Sequence, residues 1–422
     1  LAKGCPSSIA IVHGEKAVTY DALRREAARV AASLLSRGYS KGDRVGLWAE
    51  NSTFFIVAYL GIVRAGLVAV PLQTDLTEQM FAKIVASASI RDVLVSRAQM
   101  NRKRPWAERA GISLLADSDL HGSTTAMSAM PDIDPNRDLA ALMFTSGSTG
   151  EPKGVMVSHR NIECNSLDII QYMGLTAADR VMVVLPFHYC FGTSLLHTHL
   201  MVGGSMVLNN GFMYPETVVS ELLHRECTGL AGVPSTYQFL LQKSRFSTMR
   251  YPSLRWFQQA GGKLPDPYIR RLRDSFPDVS YFLMYGQTEA TARLSYLPPE
   301  RLSDKLGSIG KGLPSTRLEV VKPDGTPVAP GSDETGEIVA AGDNITLGYW
   351  NDPIETSRYF RSGKLYTGDI ARVDADGYIF IVEREREMIK SGGNRVSAKE
   401  VEGVISELPQ VVEVAVLGTP HE

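Results

Sequence analysis

Leu142–Gly154 reads LMFTSGSTGEPKG, and the fold of the whole chain turns on it. Leu142, Met143 and Phe144 read as the end of a buried strand. Thr145, Ser146, Gly147, Ser148, Thr149 and Gly150 follow without a bulky side chain, then Lys153 and Gly154. Glycines let backbone approach a ligand closely, and clustered hydroxyls with bare N–H groups form an anion cradle. Lys153 adds a cation suited to phosphate. A solvated surface turn is the bland alternative, and the density of the pattern with its lysine argues against it. The spacing is not GxxxxGK followed by Ser or Thr, because Pro152 precedes Lys153 and Gly154 follows it. That excludes a P-loop kinase or GTPase. Nor is it a GxSxG nucleophile elbow, since Ser146 stands two before Ser148.

A chain of 422 residues, 44% hydrophobic and 21% charged, has ample material for several subdomains. Its net charge of −2 gives no electrostatic reason to expect nucleic acid or an anionic membrane. Cys5, Cys164, Cys190 and Cys227 are scattered without a CxxC pair, which argues against a disulfide frame or a zinc site and suits a reducing cytoplasm. No apolar run is long enough to span a membrane. The opening LAKGCPSS lacks the pattern of a signal peptide.

Before the loop, helix and strand patterns alternate. Val18–Ser36 reads as an amphipathic helix with Thr19 as N-cap and Gly38 at its end. A strand follows over Asp43–Ala49, a helix from Asn51 to Ala65, and a strand in LVAVPL after Gly66. Such alternation predicts a parallel sheet with helices on its faces. Residues 101–138 are polar and irregular and read as a connection between two sheet halves.

After the loop, Val181–Leu185 is a buried strand that runs into PFHYCFG. A lone His such as His188 is usually a satisfied polar residue, but aromatics, His and Gly at a sheet's carboxyl edge more often line a ligand crevice. Residues 230–234 and 256–263 are two more strand ends, the second carrying Gly261 and Gly262, which either form a tight turn or let a ligand lie against the backbone. FLMYGQTE (282–289) is more specific: Tyr285 can stack on a base, and Glu289 beside a phosphate site is a natural Mg²⁺ ligand. From Thr316 on, alternating strands with turns at Asp324-Gly325 and Asp376-Gly377 predict a small antiparallel or barrel-like subdomain over about 310–387.

Taken in order, 145–154, 187–192, 285–289, 366–369 and 384–393 resemble the motifs of the adenylate-forming superfamily, which holds acyl- and aryl-CoA synthetases, luciferases and the adenylation domains of peptide synthetases. PFHYCFG is similar to its PLFHxxG, whose His walls the acid pocket, and YGQTE to its YGxTE. The resemblance implies an α/β fold: two parallel-type sheets layered with helices, a β-rich subdomain, and the start of a small α+β C-terminal lobe. It implies a large AMP-binding domain over 1–387 and the mobile lobe from 388 to 422. It assigns Tyr285 to adenine with Gly286 beside it, Thr288 to the α-phosphate, Glu289 to the metal, and Asp369 and Arg384 to the ribose. It makes Glu387 a hinge, where the family has Asp, and Gly392 and Gly393 the lining of a thiol channel. Ala398–Ser406 is expected to be a helix and Val411–Gly418 a strand, with the chain ending inside the lobe. No lysine follows Lys399, so the family's late catalytic lysine has no counterpart in this sequence.

The implied chemistry is attack of a carboxylate on the α-phosphorus of ATP with Mg²⁺, then transfer of the acyl group to a thiol. Thr145, Lys153, His188, Thr288 and Glu289 are the residues expected to carry it. The acceptor is coenzyme A or, alternatively, a carrier-protein phosphopantetheine. A non-catalytic nucleotide-binding protein is the alternative of another class. Adenylation domains for α-amino acids commonly have Asp where His188 stands, so a standard α-amino acid is disfavoured.

Overall fold

The computed structural model describes residues 2–120, 131–146 and 151–384, the strands 388–391 and 394–397, and residues 401, 405, 411 and 414–416. Two largely parallel sheets form its body. In one, the strands run in the order Ser295–Leu297, Ser280–Tyr285, Trp256–Gln259, Gly229–Gly232, Arg180–Val183, Ser205–Leu208, Ile9–His13 and Lys16–Thr19. Only its two edge strands are antiparallel to their neighbours. In the other, the order is Ser113–Leu115, Asp92–Val95, Arg44–Trp48, Val68–Pro71, Leu139–Ser146 and Pro152–Ser158, the last pair antiparallel.

Alternation along these strands sets the layers, because successive side chains point to opposite faces. Ile11, Val181, Val183, Met206 and Leu208 of the first sheet share a buried core with Val45, Leu47 and Ala69 of the second. The helices Tyr20–Ser36, Thr53–Arg64 and Cys190–Val202 contribute to that same core, so helices fill the space between the sheets. Val12, Met182 and Val207 point the other way, into a core made with the helices Pro215–His224, Pro234–Lys243 and Asp266–Ser275. Trp48, Val68, Val70 and Val93 do the same for the helix Glu78–Ser87.

A third, antiparallel sheet holds Gly312–Leu313, Thr316–Val321, Gly336–Ala341, Phe360–Arg361, Lys364–Val373 and Ile379–Arg384. This is the β-rich subdomain expected from Thr316 on. Residues 385–387 lie outside the described residues, as do most of those expected to form the helix 398–406 and the strand 411–418.

Three local expectations need correction. Residues 101–110 are not irregular: they belong to a helix, Arg97–Ala110, followed by the strand Ser113–Leu115. The helix escaped the periodicity reading because its buried face is not aliphatic. Lys103 is 1% exposed, with its ammonium 4.4 Å from the Trp48 ring centroid and 3.8 Å from that of Trp106, a cation–π seat. Val18 belongs to the strand Lys16–Thr19, and the helix starts at Tyr20, with Thr19 accepting from the Ala22 amide as its cap. The next helix starts at Thr53 with Ser52 as cap. Asn51 instead bridges to the other sheet: its Nδ2 donates to the Leu185 carbonyl at 2.8 Å and its Oδ1 accepts from the Phe187 amide at 2.9 Å.

Candidate active site

Four segments leave the carboxyl ends of the first sheet's parallel strands, the edge where open α/β sheets bind ligands. They follow Arg180–Val183, Gly229–Gly232, Trp256–Gln259 and Ser280–Tyr285. The Leu139–Ser146/Pro152–Ser158 hairpin of the second sheet faces this region through residues 346–350. The Tyr349 backbone bridges to Val155, and the Trp350 amide donates to the Gly154 carbonyl at 2.7 Å. Thr145 and Ser146 are the last residues of a strand and Lys153 is near the start of its partner, paired across the ladder with Thr145. The expected loop therefore joins two antiparallel strands. Gly147, Ser148, Thr149 and Gly150 lie outside the described residues.

Lys153 is tied to Glu355 by an ion pair whose side chains are only 12% and 16% exposed. Glu355 sits in the first turn of the helix Pro353–Tyr359, where its amide is capped by Asp352. The Lys153 ammonium also stands 5.6 Å from the Tyr349 ring centroid. The Tyr349 hydroxyl donates to Glu289 Oε1 at 2.7 Å. The Glu289 carbonyl in turn accepts from the amide and hydroxyl of Thr346, both at 3.0 Å. The phosphate lysine and the metal carboxylate expected from sequence thus meet through Tyr349, while Glu355 holds the lysine from another side. Nothing in the sequence marked those two, since Tyr349 lies in an ordinary GYWNDP turn.

Tyr285 and Asp369 come from different sheets and meet: the phenol donates to Asp369 Oδ2 at 2.5 Å. Both are buried, at 6% and 3% exposed. The strand register sets Arg384 directly opposite Asp369, so both candidate ribose residues occupy one rung of the third sheet. Gly286 allows a close crossing, because a Cβ there would lie 2.0 Å from the Ala292 carbonyl oxygen. Thr288 Oγ1 is 3.5 Å from the Cys190 sulfur, so YGQTE touches PFHYCFG. Burial pushes the Cys190 thiol up, which makes it a poor nucleophile.

His188 is held well below the usual imidazole range, at about 4, chiefly by burial and against the opposing charge of Asp75. The imidazole is neutral at pH 7. Its ring lies 4.4 Å from that of Tyr189, whose hydroxyl accepts from Gln73 Nε2 at 3.3 Å. Gly261 and Gly262 stand exposed just past the strand Trp256–Gln259, beside Ser280–Tyr285 in the sheet. The Gln259 side chain caps the Gly262 carbonyl at 2.7 Å. No described hydrogen bond joins these two glycines to the other candidates.

Among the described residues, no group of three His, Cys, Asp or Glu side chains stands ready to hold a metal. A single carboxylate nevertheless suits Mg²⁺, which keeps waters and takes substrate phosphates as its remaining ligands. Glu387, Gly392 and Gly393 lie outside the described residues. No helix among the described residues is long and apolar enough to cross a membrane.

The family model described as AMP-binding enzyme matches residues 2–350. Feruloyl-CoA synthase of Amycolatopsis sp. is 33% identical over 99% of this chain and 84% of its own length. The 2-succinylbenzoate–CoA ligase of Geobacillus kaustophilus is 29% identical over 99% of this chain and 83% of its own length. Among solved structures, o-succinylbenzoate CoA synthetase (MenE) from Bacillus subtilis with its acyl-adenylate intermediate superposes with a TM-score of 0.87 at 27% identity, covering 99% of this chain and 84% of that one. ATP-bound MatB from Rhodopseudomonas palustris gives a TM-score of 0.85 at 30% identity, covering 99% and 83%. The Bacillus subtilis enzyme is also known in complex with ATP and magnesium ion.

Proposed function

The chain belongs to the AMP-binding enzyme family, and from that premise we propose how its residues divide the reaction. The protein is an adenylating acid–thiol ligase: it uses ATP to convert a carboxylic acid to an acyl-adenylate, then passes the acyl group to coenzyme A. A carboxylate is a poor electrophile because its leaving group would be oxide. Joining it to AMP supplies a stable leaving group, and the protein's task is to neutralise phosphate charge and hold the carboxylate in line.

Lys153 takes the phosphate chain at the hairpin once the nucleotide competes it away from Glu355. Thr288 donates its hydroxyl to the α-phosphate. Glu289, oriented by Tyr349 and Thr346, holds Mg²⁺, which when bound shields the phosphate oxygens. Tyr285 fixes the Asp369 carboxylate so that its oxygens accept from the ribose hydroxyls, with Arg384 on the same rung. Neutral His188 walls the acid without attracting or repelling charge, which suits an acid that bears no ammonium beside its carboxylate. The roles of Gly261 and Gly262 as a close backbone surface for the acyl group belong to the same reading.

The observation that carries this reading is the convergence of Lys153, Glu355, Tyr349 and Glu289 at the mouth of the hairpin. It gathers a phosphate cation and a metal carboxylate from separate parts of the chain into one connected set. The test is acid-dependent exchange of labelled pyrophosphate into ATP across aryl, short-chain, long-chain and amino acids. Exchange with at least one class of carboxylic acid, weak or none with α-amino acids, supports the reading. Exchange driven best by α-amino acids would overturn it.

A further inference from the structure

The PFHYCFG segment leaves the first sheet, but a residue of the second sheet holds it. Asn51 is 6% exposed and lies between the strand Arg44–Trp48 and the helix Thr53–Arg64. Its carboxamide brackets Pro186, donating to the Leu185 carbonyl before it and accepting from the Phe187 amide after it, at 2.8 and 2.9 Å. Proline has no amide, so a sheet ladder cannot continue through it. A carboxamide offers a donor and an acceptor much as a peptide group does, and here it stands in for a neighbouring strand. The Asn51 backbone is pinned in turn, because its carbonyl accepts from Asn210 Nδ2 at 2.7 Å. Glu50 beside it accepts from the Ser96 hydroxyl at 2.9 Å.

The bracket matters because of the residue that follows it. The Thr193 hydroxyl lies 2.7 Å from the Phe187 carbonyl and 2.9 Å from that of Tyr189. The Tyr189 amide donates to the Pro186 carbonyl at 3.2 Å. A Cβ on Gly192 would lie 2.1 Å from that same oxygen, so turn and helix are in direct contact. His188 is therefore held by its main chain on both sides, through Asn51 at the Phe187 amide and through Thr193 at the carbonyls. Its imidazole has no hydrogen bond among the described residues and rests against the Tyr189 ring at 4.4 Å. Gln73, in the loop after the strand Val68–Pro71, steadies that ring by donating to its hydroxyl at 3.3 Å. The Gln73 carbonyl is itself held by the Trp48 indole at 2.7 Å. An imidazole without a hydrogen bond stands only as firmly as its main chain, and here the main chain hangs on Asn51.

We infer that Asn51 is a positioning residue for the carboxylic acid: by fixing Leu185 and Phe187 it sets where His188 stands as the wall of the acid site. The inference rests on the acid-adenylating reading above. Asn51 acts through Phe187 and needs no contact with acid or nucleotide. Removing its carboxamide strands a buried carbonyl and a buried amide, and the turn relaxes toward water to satisfy them. His188 moves with the turn, and misplacing a reactant's wall by about 1 Å can cost on the order of 10²-fold.

The test is histidine-selective NMR on the ligand-free protein, with His188 assigned by its loss in His188→Gln. Burial holds His188 and His199 at about 4 and His197 at about 3. From about pH 7.5 to about pH 5 the wild-type His188 resonance should therefore stay nearly flat. In Asn51→Ala it should titrate in that window, because the relaxed turn exposes the ring, while His197 and His199 in the helix Cys190–Val202 stay flat. Asn51→Ser, whose hydroxyl can still serve one of the two groups, should fold even where Asn51→Ala does not and show the same change at smaller size. In pyrophosphate exchange driven by benzoate, cinnamate, butyrate or octanoate, Asn51→Ala should raise the KM for the acid by about 10- to 100-fold. The KM for ATP should change by no more than about 2-fold, since the nucleotide residues share no partner with Asn51. A His188 resonance that stays flat in both variants would overturn the inference. So would His188, His197 and His199 titrating together with both KM values raised, which would make Asn51 a residue of fold stability alone. The two readings fail separately: the NMR uses neither acid nor ATP, so a wild type that exchanges with no carboxylic acid contradicts adenylation alone.

Discussion

Lys153→Met should separate the two things that lysine does. In the ligand-free protein its ammonium neutralises Glu355, and both side chains keep less than a fifth of their surface in water. Removing the cation takes the Lys153 counter-charge away from a largely buried carboxylate. Breaking a fully buried pair in this way costs about 3–5 kcal/mol. The residual exposure of Lys153 and Glu355 places this pair toward the lower end, at about 2–3 kcal/mol. Glu355→Leu alone should cost a similar amount, because it strands the ammonium. The double variant, Lys153→Met with Glu355→Leu, replaces both charges by apolar groups and should recover most of the loss, giving a coupling energy larger than either single loss, about 4 kcal/mol, in the cycle. Activity should behave differently. Both proteins lacking Lys153 should lose pyrophosphate exchange by about 10²–10³-fold, the usual effect of removing one positioned donor to developing charge. Glu355→Gln keeps the lysine and removes its competitor, so its affinity for ATP should hold or improve. Chemical denaturation gives the stabilities and exchange gives the activity. The reasoning is refuted if Lys153→Met is as stable as wild type, or if the double variant regains exchange along with stability.

Glu289→Gln should lower exchange at ordinary Mg²⁺ and recover in part at excess metal, and an unchanged Mg²⁺ titration would remove Glu289 from the metal site. Tyr349→Phe takes away the hydrogen bond that orients that carboxylate and should raise the Mg²⁺ requirement in the same direction, by about 1 kcal/mol; no change in Mg²⁺ dependence would count against it. Tyr285→Phe should raise the KM for ATP and narrow the discrimination between ATP and 2′-deoxy-ATP, because Asp369 loses the phenol that fixes it; identical discrimination in both proteins would detach Asp369 from the ribose. Acid should destabilise the fold through its buried histidines. Burial holds His188 and His199 down to about 4 and His197 to about 3, against 6.5 in the unfolded chain. Between those values the unfolded state binds protons that the folded state refuses, so stability is full above pH 6.5 and falls as pH drops toward 4. A melting temperature flat from about pH 7 to about pH 4.5 would contradict it.

The layered fold was legible because its strands are short apolar runs that alternate with amphipathic helices, and the two faces of each strand declare two cores. Of the motif glycines, Gly286 was legible because only glycine fits where it passes the Ala292 carbonyl, while the anion-cradle residues 147–150 lie outside the described residues. The helix Arg97–Ala110 was not legible, since a lysine between two tryptophans does the packing that periodicity seeks in aliphatic residues. Glu355 and Tyr349 were invisible because they reach Lys153 and Glu289 only through tertiary pairing, across 202 and 60 positions of the chain.

The central claim is that the substrate carboxylate attacks the α-phosphorus of ATP. It is tested most directly by supplying an accepted acid with both carboxylate oxygens labelled as ¹⁸O, together with ATP, Mg²⁺ and coenzyme A, and following the label by mass spectrometry. One oxygen bridges carbon and phosphorus in the acyl-adenylate and stays with phosphorus when the thiol displaces it. The account predicts AMP carrying one ¹⁸O per turnover, with unlabelled pyrophosphate. Label in inorganic phosphate with release of ADP would place the attack on the γ-phosphorus and contradict it.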